Sequence, residues 1–286
     1  MTDNKAPVWF VTGCSTGFGR DLAQVLIEQG KRVVVTARQI EKIKHLSQDK
    51  EGQVLALKLD VTDHLQAENA IKEALRAFGQ IDVLVNNAGY GYLAAIEESD
   101  EKQVRDMFDT NFFGAARMMH IVLPFMRQQR SGVIVNMSSL GGLVAFPGLG
   151  YYNATKFALE GLSEALAKEV EPLGIKVLLV EPSGFRTDWA GRSILESLHP
   201  IADYDKTAGQ MKKNIKGVSG HQAGDPLLAV KAIIEAVQSK QMPHHLLLGK
   251  EALRGALDKL EKLKVDFEAW RSVTLGVDSP KNKKVD

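Results

Sequence analysis

Residues 8–19 read VWFVTGCSTGFG. Four apolar residues, Val8 to Val11, run directly into Thr12-Gly13, and Gly17 and Gly19 follow. The apolar run does not alternate with polar residues. That predicts a strand buried on both faces, as in parallel sheets. The residues after it, Phe18 to Gln29, carry Leu22, Ala23, Val25, Leu26 and Ile27 at helical spacing, and Gly30 closes the stretch as a C-cap. Strand, glycine turn and helix together present free N–H groups and a positive dipole end, which suits a pyrophosphate. The spacing is G-x-x-x-G-x-G rather than the G-x-G-x-x-G of the standard dinucleotide fingerprint. A turn needed only for packing is the competing reading of these glycines.

The same rhythm repeats along the chain. Short β-branched runs occur at Arg32–Thr36, Val54–Leu59, Val83–Val85, Val133–Val135, Val177–Val180 and Leu246–Leu248. Amphipathic stretches lie between them, among them Asp63–Phe78 and Glu101–Arg127. Alternation of this kind predicts an α/β fold: a Rossmann-type doubly wound parallel sheet of about seven strands, in the order 3-2-1-4-5-6-7. No linker or solenoid repeat interrupts it, so residues 1–286 are read as a single domain. Residues from about 188 to 225 break the pattern with glycines and polar side chains, as an excursion over a ligand would. Glu251 to Trp270 predicts a final amphipathic helix, within an extension of about 250–275, with Leu253, Leu257, Leu260, Leu263 and Phe267 on one side.

Bulk properties narrow the function. A net charge of +1 gives no footprint for nucleic acid or for an anionic membrane surface. No stretch approaches the roughly 20 apolar residues of a membrane span. The single cysteine, Cys14, excludes an intrachain disulfide and fits a reducing, cytoplasmic setting. The start MTDNKAPVWFVTG lacks the pattern of a signal peptide, so the glycosylation-type triplet Asn153-Ala154-Thr155 is not expected to be used. The polar tail from Asp278 is expected to be loose. His244-His245 has no companion cysteine or acid cluster in the sequence, so no metal site is expected.

The second strand bears on the cofactor. An acid about 20 residues after the glycines would bind a free ribose 2′-hydroxyl. Here the position carries Ala37, and Arg38 follows. A guanidinium at an unblocked site suits a 2′-phosphate, favouring NADP(H) over NAD(H). A solvated charge at the start of the next segment is the alternative for Arg38.

Several further motifs fall in a defined order. Asp60 stands in Leu59-Asp60-Val61, and Asn86-Asn87-Ala88-Gly89 follows the fourth strand. Asn111 lies in Asp109-Thr110-Asn111, Ser139 in Asn136-Met137-Ser138-Ser139, and Tyr152 precedes Lys156 by four residues. In this order and spacing the chain resembles the short-chain dehydrogenase/reductase family over about residues 7–250. It is most similar to the NADP-preferring, hydroxysteroid-dehydrogenase-like members and to bacterial oxidoreductases of unassigned substrate. The resemblance implies a cofactor turn made of Gly13, Ser15, Thr16, Gly17, Phe18 and Gly19, with Ser15 and Arg38 holding the 2′-phosphate. It implies adenine contact at Asp60 and Val61, and further cofactor contacts at Asn87, Ala88, Gly89, Pro182, Gly184, Phe185 and Thr187, the last at the carboxamide. It assigns catalysis to Asn111, Ser139, Tyr152 and Lys156. Two residues depart from the family pattern. Ser183 replaces the glycine that usually follows Pro182, which puts the backbone path there in question, and Phe18 replaces a commoner Ile or Leu.

The implied chemistry is carbonyl reduction or alcohol oxidation by hydride transfer, with Tyr152 as acid/base. Lys156 sits at i+4 from Tyr152, on the same helical face, so its ammonium is expected to lower the phenol pKa. Tyr151 points elsewhere, about 100° around the helix. By resemblance Tyr152 and Lys156 also contact the cofactor, Lys156 at the nicotinamide ribose, and Asn111 holds a water linking Lys156 to solvent. Asn111 as a mere helix cap is the other reading. Ser139 would orient the carbonyl oxygen; Ser138 is its rival, one residue further from Tyr152 than the family spacing.

Leu143, Phe146 and Trp189 are expected at the substrate, with Val144, Ala145, Tyr90 and Tyr92 nearby and Leu195, Leu198, Ile201, Tyr204 and Met211 in the covering segment. Such a lining suits a small or apolar carbonyl or alcohol. Two alternatives stand beside this reading: a 3-oxoacyl reductase-like activity, and a non-catalytic NADPH sensor. Apolar stripes on the stretches 101–130 and 151–172, where the family builds a four-helix interface, predict a homodimer or homotetramer.

Overall fold

In the computed structural model, which describes residues 6–191 and 193–278, the first strand sets the architecture. Strand β1 (Val8–Val11) turns Trp9 and Val11 to one side and Val8 and Phe10 to the other, and all four are buried. A strand apolar on both faces must be covered on both, and each such side chain contributes about 1.5–3 kcal/mol on burial. The other strands of the sheet are β2 (Arg32–Ala37), β3 (Val54–Lys58), β4 (Val83–Asn86), β5 (Gly132–Met137), β6 (Ile175–Pro182) and β7 (His245–Leu248). All neighbours pair in parallel, in the order β3-β2-β1-β4-β5-β6-β7. This is the Rossmann-type order expected from the sequence.

Helices fill both faces. Helix α1 (Gly17–Glu28) and α7 (Pro226–Gln238) pack together over one side, with Leu22, Leu26, Val230 and Ile233 in its core. Helices α2 (His64–Phe78), α4 (Ala115–Gln129) and α5 (Gly150–Val170) cover the other, burying Ile71, Met118, Val122 and Leu159. Capping differs with position. Asp63 caps α2 by accepting from the Gln66 N–H, and Asp225 caps α7 through Leu227 and Leu228. At α1, Thr16 makes no side-chain cap bond and the first turn holds no acid. The helix facing the carboxyl end of the sheet thus keeps its N–H groups and positive end open.

Three sequence expectations are modified. The helix predicted over Glu101–Arg127 is α3 (Glu101–Phe108), a π-helical turn (Asp109–Gly114) and α4. The wider turn brings Gly114 against Val61, where a Cβ would lie 2.7 Å from Val61 Cγ2. The excursion at 188–225 contains short helical turns, α6 (Gln210–Gly217) and a strand, Ile194–Glu196, paired in parallel with Gly91–Leu93 as a separate small sheet. The C-terminal helix α8 (Lys250–Ala269) meets the body through Ala252 and Ala256, while Leu253, Leu257, Leu260 and Phe267 stay exposed; α9 (Arg271–Gly276) follows. The small side chains let the helix approach Leu140, so the alanine face is the packed one. The tail expected to be loose lies, from residue 279 on, outside the described residues. Among those described, no helix is long and apolar enough to cross a membrane.

Candidate active site

The glycine turn is built by its neighbours. Gly13 and Gly17 adopt left-handed φ of 72° and 57°, where a side chain is strained. A Cβ on Gly19 would stand 2.5 Å from Gly13 O and 2.3 Å from Asn87 Nδ2. Thr12 and Asn87 lock this shape. Thr12 Oγ accepts from the N–H groups of Asn87 (2.9 Å) and Ala88 (3.0 Å), and Asn87 Nδ2 donates to Thr12 O at 2.8 Å. On the far side, a Cβ on Gly17 would lie 3.7 Å from Thr187 Cβ, and the Phe18 and Phe185 rings meet at 5.3 Å. A cradle that side chains would fill, at a helix end without an acidic cap, fits a dinucleotide pyrophosphate. Ala37, ending β2, is buried, and Arg38 beside it is exposed yet close enough to act electrostatically on Tyr90. Asp60 Oδ1 accepts from Thr62 N–H and Oγ, shaping the turn beyond β3.

Tyr152 and Lys156 lie one turn apart on α5, both nearly fully buried. Lys156 Nζ sits 5.8 Å from the Tyr152 ring centroid and donates to Met137 O at 2.7 Å. Ser139, just beyond β5, approaches the Tyr152 hydroxyl closely enough to lower its pKa, and its Oγ accepts from Gly141 N–H at 3.0 Å. Trp189 lies on the Tyr152 ring, centroids 5.3 Å apart. Gly91 makes room for it, since a Cβ there would be 2.8 Å from Trp189 Cζ2. Asn111, in the π-helical turn, joins the group across Gly89: a Cβ on Gly89 would be 3.1 Å from Asn111 Oδ1 and 3.8 Å from Lys156 Nζ. The four residues predicted as catalytic therefore converge next to the glycine cradle.

Residues 7–196 match the short chain dehydrogenase family. The chain belongs to that family. The oxidoreductase BOA17 of Botryotinia fuckeliana is 36% identical over 270 residues, spanning 94% of this chain and 98% of its own. A 3-ketodihydrosphingosine reductase of Bacteroides thetaiotaomicron is 43% identical over 195 residues, 68% of this chain and 70% of its own. A short-chain dehydrogenase crystal structure from Streptomyces avermitilis superposes with a TM-score of 0.90 at 38% identity, covering 97% of this chain and 100% of that one. The protein is thus an oxidoreductase of a kind consistent with carbonyl–alcohol interconversion.

Within this dehydrogenase several sequence expectations are refined. Burial pushes the Tyr152 phenol up to about 12, offset only in part by Ser139. The expected lowering by Lys156 does not dominate. The lysine is itself buried and pushed down to about 8, with Glu160 opposing that shift. The Asn111 amide is engaged by Tyr90 N–H (3.0 Å), Tyr90 O (2.9 Å) and Thr155 Oγ (3.2 Å). Ser183 fits where a glycine is usual because its hydroxyl donates to Leu248 O at 3.3 Å, against Gly249 at φ 93°. Phe146 and Trp189 border Tyr152, whereas Leu143 packs toward Leu140 and the α8 alanines. Tyr92 is fully packed, its hydroxyl accepting from Asp100 N–H. Cys14 is buried, its thiol pushed up to about 12.

Sequence reading missed two groups. Asn153, noticed only for a glycosylation pattern, is buried and accepts from Phe146 N–H (2.9 Å) while donating to Gly141 O (2.9 Å), which fixes the loop beside Tyr152. A polar residue flanking Tyr152 on its helix was the available signal. His245 has acid companions after all: Glu160 and Glu181, remote in sequence, meet it where β6, β7 and α5 converge.

Proposed function

We propose that this dehydrogenase interconverts an apolar ketone and its secondary alcohol with NADP(H), using Tyr152 as acid/base. The observation that carries the reading is the meeting of Ser139, Tyr152, Lys156 and Asn111 beside the glycine cradle. A bound nicotinamide supplies or takes up the hydride. Tyr152 holds the proton at its hydroxyl, and with its pKa near 12 it is protonated at neutral pH, the form that donates to a carbonyl oxygen. Ser139 orients the same oxygen, and Lys156, charged below about pH 8, stabilises charge developing on the phenol. Trp189 and Phe146 keep water from Tyr152 and present an apolar wall. A relative named for reducing a 3-keto sphingoid base supports the same substrate class. Asn87, Ala88, Gly89, Asp60, Val61, Pro182, Gly184, Phe185 and Thr187 belong to the cofactor side of this proposal.

The preference for NADP(H) rests on Arg38 and Ser15 and on Ala37 in place of an acid. A screen of ketones and secondary alcohols with both cofactors, followed by nicotinamide absorbance, tests the activity. No turnover across a panel including long-chain ketones would remove it. For the cofactor, Arg38→Ala should weaken NADPH binding about 10- to 100-fold, the loss of charge-assisted bonds worth roughly 1.5–3 kcal/mol, and leave NADH unchanged. Fluorescence titration measures both, and equal losses for the two cofactors would refute the assignment.

The same proposal includes a homodimer or homotetramer, a cytoplasmic setting and a single domain. Phe113 on the π-helical turn and Phe157 on α5 are 50% and 43% exposed, apolar surface that self-association would cover. Cys14 as a buried thiol suits a reducing compartment. Segment 188–225 and α8 both pack onto the nucleotide-binding body, supporting one unit.

A further inference from the structure

Two buried carboxylates lie behind Lys156 with no role in the reaction described above. Glu160 is one turn beyond Lys156 on α5 and is 4% exposed; Glu181, near the end of β6, is 0% exposed. His245, opening β7, reaches both. Its Nδ1 is 2.5 Å from Glu181 Oε1 and 3.9 Å from Glu160 Oε2. The imidazole side chain is 40% exposed, so it is the part of the group that meets water. Around these three stand Met137 at the end of β5, Ser138 just beyond it, and His244 from the turn before β7. Met137 O accepts from Lys156 Nζ. Gly142 leaves space where a Cβ would touch both Ser138 Oγ (2.6 Å) and Glu160 Oε1 (2.8 Å). His244 Nδ1 contacts Val177 O at 3.0 Å, and its ring lies edge-on to His245. Ser138 approaches Glu160 closely enough to lower its carboxyl pKa, yet no bond of good geometry reaches either Glu160 oxygen.

A buried carboxylate without full hydrogen bonding is costly as an anion unless a positive charge compensates it. Two groups able to carry positive charge are at hand: Lys156 along α5 and His245 at the surface. A divalent cation suits the trio poorly. Ligand atoms around a common tetrahedral ion stand roughly 3.3 Å apart, given bonds near 2.0 Å, whereas His245 Nδ1 and Glu181 Oε1 are at hydrogen-bonding distance.

We propose that Glu160, Glu181 and His245 form a proton-exchanging cluster that sets the charge of Lys156, with His245 as its end toward solvent. Glu160 is then a positioning residue that acts through the lysine. Its carboxylate favours the ammonium form, opposing the burial that pulls Lys156 down to about 8. Glu160 and Glu181 are both pushed up to about 7, chiefly by burial, so the cluster takes up and releases protons near neutral pH. Charged His245 and Lys156 draw Glu160 back toward its anionic form. Removing His245's charge should therefore leave Glu160 protonated to higher pH and the lysine less supported.

The inference rests on the proposed role of Lys156, and two independent readouts separate the failure of one from the failure of the other. Trace acetylation across pH with peptide mapping titrates the Lys156 amine directly, whatever the substrate. The pH profile of kcat reports the same group if it serves catalysis. Loss of the negative neighbour disfavours the ammonium, so in Glu160→Gln both the amine titration and the alkaline loss of activity should move down by about one pH unit. Glu160→Asp should restore most of the shift, and His245→Gln should move both in the same direction by less. A chelator should change nothing. A folded Glu160→Gln protein whose Lys156 titrates as in wild type would overturn the proposal, as would chelator-sensitive titration. If the amine shifts but a Tyr152→Phe variant remains fully active, the cluster stands and the catalytic reading falls.

Discussion

Replacing Tyr152 with phenylalanine is expected to lower kcat for carbonyl reduction about 1,000-fold, within the roughly 100- to 10,000-fold range for a positioned proton donor. The fold should be indifferent to the change. The ring is what Trp189 packs on, at 5.3 Å, and what fills the apolar cluster with Leu149, Ile194 and Met107. Phenylalanine keeps that ring and deletes one oxygen. The hydroxyl's partner is Ser139, which retains its bond from Gly141 N–H, so no buried donor is stranded. Cofactor affinity should stay within about twofold, because the pyrophosphate cradle, locked by Thr12, Asn87 and the glycines, does not involve the Tyr152 hydroxyl. Steady-state kinetics with a reducible ketone and calorimetric titration of the cofactor give the two numbers. Wild-type turnover in the variant would mean that another group delivers the proton. Tyr151→Phe, the neighbour turned away from Lys156, should cost far less.

The parts of this molecule that sequence reading reached are those written locally. The cofactor turn is a strand, three glycines and a helix start in adjacent positions, and Tyr152 with Lys156 is a single helical turn. Strand order followed from alternation and the right-handed crossover rule, which is general rather than particular to this chain. What escaped depends on contacts between distant segments. Glu160 and Glu181 look like ordinary charges on an amphipathic helix and at a strand end; only the pairing of β6 with β7 brings His245 to them. The leucines of α8 share one side, but close approach to Leu140 selects Ala252 and Ala256 as the packed face. The direction of the Tyr152 shift was misjudged for a related reason. Spacing fixes which face a lysine shares, not how deeply both groups are buried, and burial is the larger effect here.

Asn111 gives the second large effect and distinguishes two roles for one residue. Its side chain is 1% exposed and clamps both backbone groups of Tyr90, taking the N–H at Oδ1 and donating from Nδ2 to the carbonyl. The same Nδ2 reaches Thr155, whose hydroxyl donates to Tyr152 O at 2.7 Å, so the amide ties the segment after β4 to the helix carrying the candidate acid. A π-helical turn, uncommon outside functional sites, aims it there. Asn111→Leu keeps the branched shape while replacing the amide by methyls, and strands the Tyr90 N–H and C=O, each costing about 1–3 kcal/mol when buried. The sum, about 2–4 kcal/mol after some relaxation, should lower Tm by roughly 3–7 °C for a chain of this size. Asn111→Asp keeps the acceptor for Tyr90 N–H but loses both donated bonds and buries a carboxyl against Tyr90 O, so its Tm should fall at least as far as that of the leucine variant. Activity should decline in step with stability, because the displaced segment carries Gly89, which separates Asn111 from Lys156. Thermal unfolding by circular dichroism beside initial rates checks this. A leucine variant with unchanged Tm and abolished turnover would show that Asn111 acts on the chemistry through a held water rather than through the Tyr90 clamp.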